Sequence, residues 1–211
     1  YKRLIDNLEF HLLGNHLIEN AFSLLFGAYY FNDIDFYKKS EKILLTELDI
    51  QILGDGGHFE LSPMYHSIIL QKILDSLYLI NNNPAKRNDM LSKKLNEKAV
   101  LMLSWLETLT YKNGDIPHFN DSANGIAFSP NDLFSYADFI GLQWSKGLLG
   151  ESGYRKYSNH NCEFVMDVGE IGPSYLPGHA HSDISNFEFR FKTLPFIVDT
   201  GTSTYENNKK R

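Results

Sequence analysis

Cysteine is almost absent from this sequence: Cys162 is the only one among 211 residues, so an internal disulfide framework is excluded. One cysteine leaves the compartment open, since many periplasmic proteins also lack disulfides. The sequence has no run of roughly 20 apolar residues, which a membrane-spanning helix requires, and residues 1–4 carry no signal-peptide pattern. Because the chain starts without Met and stops in a polar run after an apolar strand, we expect a piece of a longer protein, periplasmic or secreted.

Positive charge is also in deficit, with 20 Lys and Arg against 26 Asp and Glu and a net charge of -6. Nucleic acids and anionic membranes are bound through a surplus of Lys and Arg, so neither is predicted as a partner. An anionic polysaccharide remains possible where a local groove supplies basic or neutral donors. Aromatic residues are abundant at 14%, and sugar rings often lie on such flat side chains, although most Phe residues are expected in the core.

Helical periodicity dominates the first two thirds of the chain. Apolar residues recur at spacings of three and four from residue 15 to about 147, which predicts at least five helices. Ser62 and Pro63 mark one start, because Ser caps free amides and Pro is tolerated at the first helical position. Asn113 and Gly114 mark an end. The predicted helices cover residues 16–31, 36–48, 63–80, 89–111 and 132–149.

After Gly150 the pattern changes to period two. Apolar residues alternate with more polar ones over 162–168 and 187–192, and a short apolar segment follows at 195–199, which predicts half-buried antiparallel strands. Helices followed by strands imply two packed domains with a cleft between them. We place these domains at residues 1–150 and 151–211.

The string GHAHSD at 178–183 contains two imidazoles separated by one residue. On an extended chain His179 and His181 project to the same side, so both can address one small volume. A metal ion is one reason for such an arrangement, and Asp199 at the end of the following strand is a reachable oxygen ligand. The alternative is two surface histidines in a polar loop.

Two further strings open predicted helices. In NHLIE at 15–19, Asn15 is either a functional amide or an N-cap, while His16 and Glu19 lie on one helix face and are expected to pair in a cleft. In GDGGHFELSPMYH at 54–66, a glycine-rich loop precedes Tyr65 in the first helical turn. The positive end of the helix dipole is expected to help this phenol lose its proton; the alternative is a packed Tyr with a solvated hydroxyl.

A polar and aromatic loop, DIPHFNDS at 115–122, connects two helices. It either lines a sugar subsite or is an ordinary connection in which Asn and Asp close turns.

Four strings occur in a fixed order: NHxxE from 15, DGGxxExSPxYH from 55, GHxHxD from 178 and VDTG from 198. Together they resemble the heparinase II/III family of polysaccharide lyases, which includes related alginate lyases, over residues 14 to about 205. The resemblance implies an α+β multidomain fold, with an incomplete (α/α) toroid packed on the start of an antiparallel β-sandwich. Substrate is then expected in the groove between the two domains.

The resemblance also implies roles. The family's carboxylate-neutralising pair falls on Asn15 and His16, its tyrosine acid/base on Tyr65 and its catalytic histidine on His179. His181 and Asp199 match two ligands of a largely structural zinc ion, whose third histidine has no counterpart in this chain. The implied activity is β-elimination of a uronic-acid polysaccharide. The residues predicted to contact this anionic polymer are Glu19, Glu60, His66 and Asp121.

Three other functions remain open. A metal-dependent hydrolase is compatible with HxHxD, although Ile184 stands where two-metal enzymes usually carry a His. An inverting glycosidase needs two carboxylates flanking the sugar, and Asp55, Glu60 and Asp121 are candidates. A non-catalytic glycan-binding protein would bind polymer without making new chain ends. The sequence leaves the particular polymer and the oligomeric state open.

Overall fold

The computed structural model describes residues 1–12, 14–84, 89–169, 181 and 185–201. Within these residues, helices come first and a four-stranded antiparallel sheet follows, in the order that the change of periodicity predicts. The elements are α1 (Lys2–Ile5), α2 (Gly14–Phe31), α3 (Ile34–Gln51), α4 (Pro63–Asn81), α5 (Asp89–Leu109), α6 (Pro130–Phe139), β1 (Tyr154–Ser158), β2 (Cys162–Asp167), β3 (Phe187–Phe191) and β4 (Leu194–Ile197).

Local capping determines where several helices begin. The Ser62 side chain accepts a hydrogen bond from the Tyr65 amide, with Pro63 at the first helical position, so the predicted start of α4 is confirmed. Ser129 and Asp132 form a reciprocal capping box at α6. These caps satisfy amides that the first helical turn leaves without intrahelical partners.

The helical core joins α2 to α3 and α4, and α4 to α5 and α6. Its buried side chains include Phe22, Leu44, Ile73, Leu103 and Trp105. Each contributes roughly 1.5–3 kcal/mol relative to an exposed position. The first turns of α2 and α4 therefore stand on a well-packed support.

Two helix ends lie earlier than predicted. The helix predicted over 132–149 ends at Phe139, because Gly141 adopts a φ of 83° and the Leu142 amide bonds back to the Ala137 carbonyl, as in a Schellman motif. The helix predicted over 89–111 ends at Leu109. Asn15 is the second residue of α2 rather than its N-cap.

The sheet has the order β1-β2-β3-β4, with all neighbours antiparallel. The strands predicted near 162 and 187 are confirmed and the last one lies at Leu194–Ile197, whereas β1 was not predicted. Period two is present, and the buried positions are Glu163, Val165 and Asp167 in β2 and Glu188 and Arg190 in β3, so all of them except Val165 are charged. The alternation alone indicated the opposite burial.

This polar face of the sheet packs on the helical region. The Glu188 carboxylate accepts hydrogen bonds from the Tyr111 hydroxyl at 2.8 Å, the His118 amide at 3.1 Å and the Asp199 amide at 3.3 Å. Arg190 lies over the Tyr111 ring, 4.2 Å from its centroid, and donates to Asp115 at 3.0 Å. Burial, then the Glu188 carboxylate, raises the pKa of Tyr111, so its hydroxyl remains a donor.

Among the described residues, no helix combines enough length with enough apolar character to span a membrane.

We expect Glu188→Ala to lower the free energy of unfolding by about 3 kcal/mol, because a phenol and two amides lose a charged acceptor inside the interface. Tyr111→Phe removes one of these donors and is expected to cost about 1.5 kcal/mol. Urea unfolding of both variants, followed by circular dichroism, measures the difference. Equal losses would show that Glu188 does not hold the segments of His118 and Asp199.

Candidate functional site

An open cavity of about 290 Å³ lies at the first turn of α4, and we call it the reaction pocket. It brings Tyr65, Asp121 and His181, three residues that the sequence had singled out, to one place. Its volume is near the lower end of ligand pockets, roughly 300–1,000 Å³. The described lining consists of Met64, Tyr65, Asn120, Asp121, Ser122, Ala123, Ile126, His181 and Gly201.

Ser62 holds one wall of this pocket. Besides capping α4, its hydroxyl donates to the Asp121 carbonyl at 2.8 Å and lies 3.0 Å from the Ser122 hydroxyl. The Ser122 hydroxyl in turn accepts from the Met64 amide at 3.2 Å. One short side chain therefore clamps the loop that carries Asp121 to the turn that carries Tyr65.

Backbone strain is concentrated beside this clamp. Leu61 and Asn120 have φ values of 56° and 54°, a region that Asn tolerates and that costs a branched residue such as Leu more. The Leu61 carbonyl accepts hydrogen bonds from the Asn120 side-chain amide and the Tyr154 hydroxyl. These contacts maintain an unfavourable conformation immediately before the α4 cap.

Tyr65 is half-buried at the pocket. Burial, followed by the charges of Asp121 and Glu60, raises its pKa above the usual 10. The expectation that the helix start makes this phenol more acidic is therefore wrong for the described surroundings, because burial and then the two carboxylates raise its pKa. At neutral pH the Tyr65 hydroxyl is a proton donor.

His181 lines the same pocket as Tyr65. Its Nε2 atom is 2.9 Å from Asp121 Oδ1, and its amide donates to the Asn120 side chain at 3.1 Å. The location of Asp121 fits the predicted contact with substrate. His179 lies outside the described residues, so the predicted convergence of Asn15, Tyr65 and His179 stays a prediction.

The predicted zinc ligands have other partners here. His181 bonds Asp121, and the Asp199 carboxylate accepts from the Asn186 side chain and the Gly201 amide. Among the residues that the structure describes, no three His, Cys, Asp or Glu side chains form a group suited to a metal ion. Because the expected site has only two of its ligands in this chain, the zinc ion stays a prediction, and we assign the metal no step.

Asn15 and Tyr65 are connected through Glu60. The Asn15 backbone amide donates to Glu60 Oε1 at 3.4 Å. After burial and Asp121, the same Glu60 carboxylate also raises the pKa of Tyr65. Glu60 is only 2% exposed, so it links the starts of α2 and α4 rather than contacting a polymer as predicted. Below it, the buried Gln51 side chain donates to the Gly14 carbonyl at 2.7 Å and holds the start of α2.

The expected pairing of His16 with Glu19 is wrong. The His16 ring is exposed and its Nδ1 atom lies 3.8 Å from Glu9 Oε1. Glu19 is half-buried, and its pKa is raised by burial against an opposing effect of Lys72. The two residues therefore have different environments, and the carboxylate-neutralising role of His16 stays a prediction.

His66 belongs to the core and does not contact substrate as predicted. Its ring is fully buried, lies 4.4 Å from the Trp105 ring centroid and has Nε2 at 3.1 Å from the Met102 carbonyl. Burial lowers its pKa to about 3. A periodicity of three to four places His66 on the inner face of α4, a signal that the motif had obscured.

Asn120 and Ser122 are pocket residues that the sequence analysis did not single out individually. The loop at 115–122 contributes Asn120, Asp121 and Ser122 to the pocket lining, and its role as a sugar subsite stays a prediction. Their particular contacts join residues about sixty positions apart, which no local pattern reports.

Comparison with known proteins identifies the family. A model of the heparinase II/III N-terminus matches residues 4–140, and a model of the heparinase II/III-like C-terminal region matches residues 143–211. The chain belongs to the heparinase II/III family.

Curated relatives agree with this membership. The chain is 24% identical over 91% of its length to a heparin-sulfate lyase of Bacteroides stercoris. It is 26% identical over 99% of its length to a heparin-sulfate lyase of Pedobacter heparinus. It covers 32% and 35% of these relatives, about a third of each.

Solved structures of the heparinase II/III family share the fold. Heparan sulfate lyase HepC from Pedobacter heparinus matches with a TM-score of 0.69 at 20% identity, covering 99% of this chain and 36% of that one. A heparinase III structure matches with a TM-score of 0.64 at 20% identity, covering 96% and 37%.

Replacing the clamp residue tests its double role. We expect Ser62→Ala to cost about 2 kcal/mol, because it removes both the α4 cap and the bond to the Asp121 carbonyl. Ser129→Ala removes the capping box of α6, whose partner Asp132 belongs to the same helix start, and is expected to cost about 1 kcal/mol. Chemical unfolding of both variants provides the comparison. If the two losses are equal, the clamp contributes nothing to stability.

Removing one carboxylate tests the electrostatics of Tyr65. We expect Asp121→Asn to lower the pH at which Tyr65 ionises. The substitution removes the negative charge that, after burial, contributes most to the raised pKa of Tyr65. A group whose pKa is higher in the folded than in the unfolded state stabilises the fold below its unfolded-state pKa, here about 10. This stabilisation is lost as the pH rises through the folded-state pKa. Tyrosinate absorbance, corrected with Tyr65→Phe, follows the titration. Asp49→Asn, whose carboxylate pairs with Lys94, is the control; an equal shift in both variants would refute the assignment.

Proposed function

We propose that this chain is part of a polysaccharide lyase that cleaves a uronic-acid polymer by β-elimination. The observation that carries the proposal is a protonated Tyr65 in an open pocket beside Asp121 and His181. Membership of the heparinase II/III family supports the same chemistry. The names of the two curated relatives make a heparan-type glycosaminoglycan the first substrate to test.

The first chemical task is to neutralise the uronate carboxylate. Removing the C5 proton beside an ionised carboxylate builds a dianion, so donors that stabilise this charge lower the barrier. We assign this task to Asn15 and His16. The contact of the Asn15 backbone amide with Glu60 ties this residue to the turn that carries Tyr65.

Proton transfer completes the reaction. His179 or Tyr65 takes the C5 proton, the electron pair of that C–H bond forms the C4–C5 double bond, and the C4–O4 bond breaks. Tyr65 delivers a proton to the leaving O4. Because burial and two carboxylates keep Tyr65 protonated, it suits the role of acid better, which favours His179 as the base.

The finer architecture is also a proposal. We assign residues 1–150 to an incomplete (α/α) toroid and 151–211 to the start of a β-sandwich. The sheet supports the second assignment, because its apolar face leaves Phe187 36%, Phe191 48% and Phe196 76% exposed. A second sheet packed on this face would bury them.

The test uses the full-length protein and a panel of uronic-acid polymers. We expect wild type to raise the ultraviolet absorbance of the unsaturated uronate, and Tyr65→Phe to abolish at least 99% of the rate, since losing a general acid costs about 10²–10⁴-fold. Tyr136→Phe is the matched control, because its hydroxyl bonds Asp75 on another face of α4. Retained activity in Tyr65→Phe would remove Tyr65 from the mechanism.

The same panel separates the alternatives. Saturated products that disappear on chelation would indicate a metal-dependent hydrolase, and saturated products without metal dependence a glycosidase. Polymer binding without new chain ends would indicate a non-catalytic glycan-binding protein.

A further inference from the structure

Tyr154, the first residue of β1, donates a hydrogen bond across the boundary between the sheet and the helices. Its hydroxyl lies 2.5 Å from the Leu61 carbonyl oxygen, in the turn immediately before α4. The Tyr154 side chain is fully buried, and its ring centroid lies 5.7 Å from that of Trp105 and 5.6 Å from that of Phe119. A firmly packed phenol therefore reaches from the sheet to the turn that leads into the reaction pocket.

The Leu61 carbonyl is a point at which support from outside the pocket matters. Leu61 has a φ of 56°, and a branched residue keeps a left-handed conformation only where its surroundings hold it. Asn120 donates to the same carbonyl at 3.0 Å, but Asn120 is itself part of the pocket lining. Tyr154 belongs to the sheet, so its hydrogen bond ties the turn to a separate support.

The segment that leads into β1 fixes the position of Tyr154. The Asp55 carboxylate accepts hydrogen bonds from the Gly150 amide at 2.8 Å, the Ser152 amide at 3.0 Å and the Ser152 hydroxyl at 2.6 Å. The Ser152 hydroxyl also accepts from the Trp105 indole nitrogen at 3.0 Å. Asp55 lies in the loop before α4 and Trp105 lies in α5, so the segment just before Tyr154 is attached to the helical region at two points.

A change at Leu61 reaches Tyr65 through a single residue. Ser62 follows Leu61 directly, and its side chain accepts a hydrogen bond from the Tyr65 amide at 3.2 Å. A return of Leu61 to an ordinary backbone conformation would turn the Ser62 cap away from the first turn of α4. Because a displacement of roughly 1 Å in a reacting group can cost about 100-fold in rate, the reaction is expected to be sensitive to this turn.

We propose that Tyr154 is a positioning residue: through the Leu61 carbonyl, the sheet holds the turn that presents Tyr65 to the reaction pocket. This inference rests on the proposed function for the role of Tyr65 as the acid. Tyr154 is buried and contacts Leu61 rather than the pocket, so its effect is expected on turnover and not on binding of the polymer.

Hydrogen exchange in the full-length protein tests the coupling directly. Tyr154→Phe keeps the ring between Trp105 and Phe119 and removes only the hydroxyl. We expect the amides of Met64 and Tyr65, in the first turn of α4, to exchange about fivefold faster, the ratio that corresponds to one ordinary hydrogen bond.

Tyr136→Phe is the matched control, because its hydroxyl bonds Asp75 at 2.9 Å on another face of α4. It is expected to leave exchange at residues 62–66 unchanged. A general loss of stability would speed exchange in all helices, so an increase confined to 62–66 separates positioning from destabilisation. Equal exchange at 62–66 in Tyr154→Phe and Tyr136→Phe would overturn the inference.

Turnover of a uronic-acid polymer gives a second readout. We expect Tyr154→Phe to lower kcat about tenfold with KM within about twofold of wild type, since the substitution misplaces a reacting group without removing a contact to the polymer. In the Tyr65→Phe background the same substitution is expected to add no further loss, because a positioning residue acts through the residue that it positions. An unchanged kcat, or the same loss in both backgrounds, would contradict the positioning role.

The two proposals fail in different ways. If wild type forms no unsaturated uronate from any polymer of the panel, the lyase proposal fails, and exchange at residues 62–66 alone decides whether Tyr154 holds the turn. If wild type is a lyase and Tyr154→Phe matches Tyr136→Phe in both exchange and kcat, the coupling fails while the lyase proposal stands.

Discussion

The arrangement of helices and sheet depends on the hydrogen bonds that the Glu188 carboxylate accepts. Their donors are the Tyr111 hydroxyl after α5, the His118 amide in the next loop and the Asp199 amide after β4. His118 is two residues before Asn120, and Asp199 is two residues before Gly201. Both walls of the reaction pocket are therefore anchored on one buried carboxylate.

A polar interface of this kind specifies geometry more than it provides net stability. Buried hydrogen bonds contribute modestly when formed, yet leaving one unmade is costly. The contacts of Glu188 and of Arg190 with Asp115 have directional requirements that an apolar contact lacks. Sliding the sheet along the helices would break several of them together, which favours a single relative position.

The reaction pocket also depends on the turn at residues 60–62. Leu61 stands in a left-handed conformation that its neighbours maintain, and Ser62 both caps α4 and bonds the Asp121 loop. Glu60 completes the turn by linking it to the start of α2. The three consecutive residues 60–62 thus join the start of α2, the start of α4 and the Asp121 loop next to Tyr65. Strain of this type is common where a site must be held rigidly.

Much of the fold was available from the amino-acid sequence by itself. Apolar periodicity and the Ser62-Pro63 signal predicted the helices and the start of α4, and period two predicted β2 and β3, because these signals act between residues close in the chain. The end of α6 at Phe139 is also encoded locally, by Gly141 two residues further on. The ordered motifs indicated the family and placed Tyr65 and His181 among the site residues, while Asp121 came from the polar loop at 115–122.

Only the tertiary structure decided which of the candidates share a pocket. Period two gives the alternation of a strand but not which face is buried, and here the charged face of β3 meets the helices because Tyr111 and two loop amides supply partners for Glu188. His66 and Tyr65 are adjacent in one motif, yet a rotation of about 100° per helical residue sends one to the core and the other to the pocket. The raised pKa of Tyr65 likewise depends on burial and then on Asp121, both of which come from packing between residues distant in sequence.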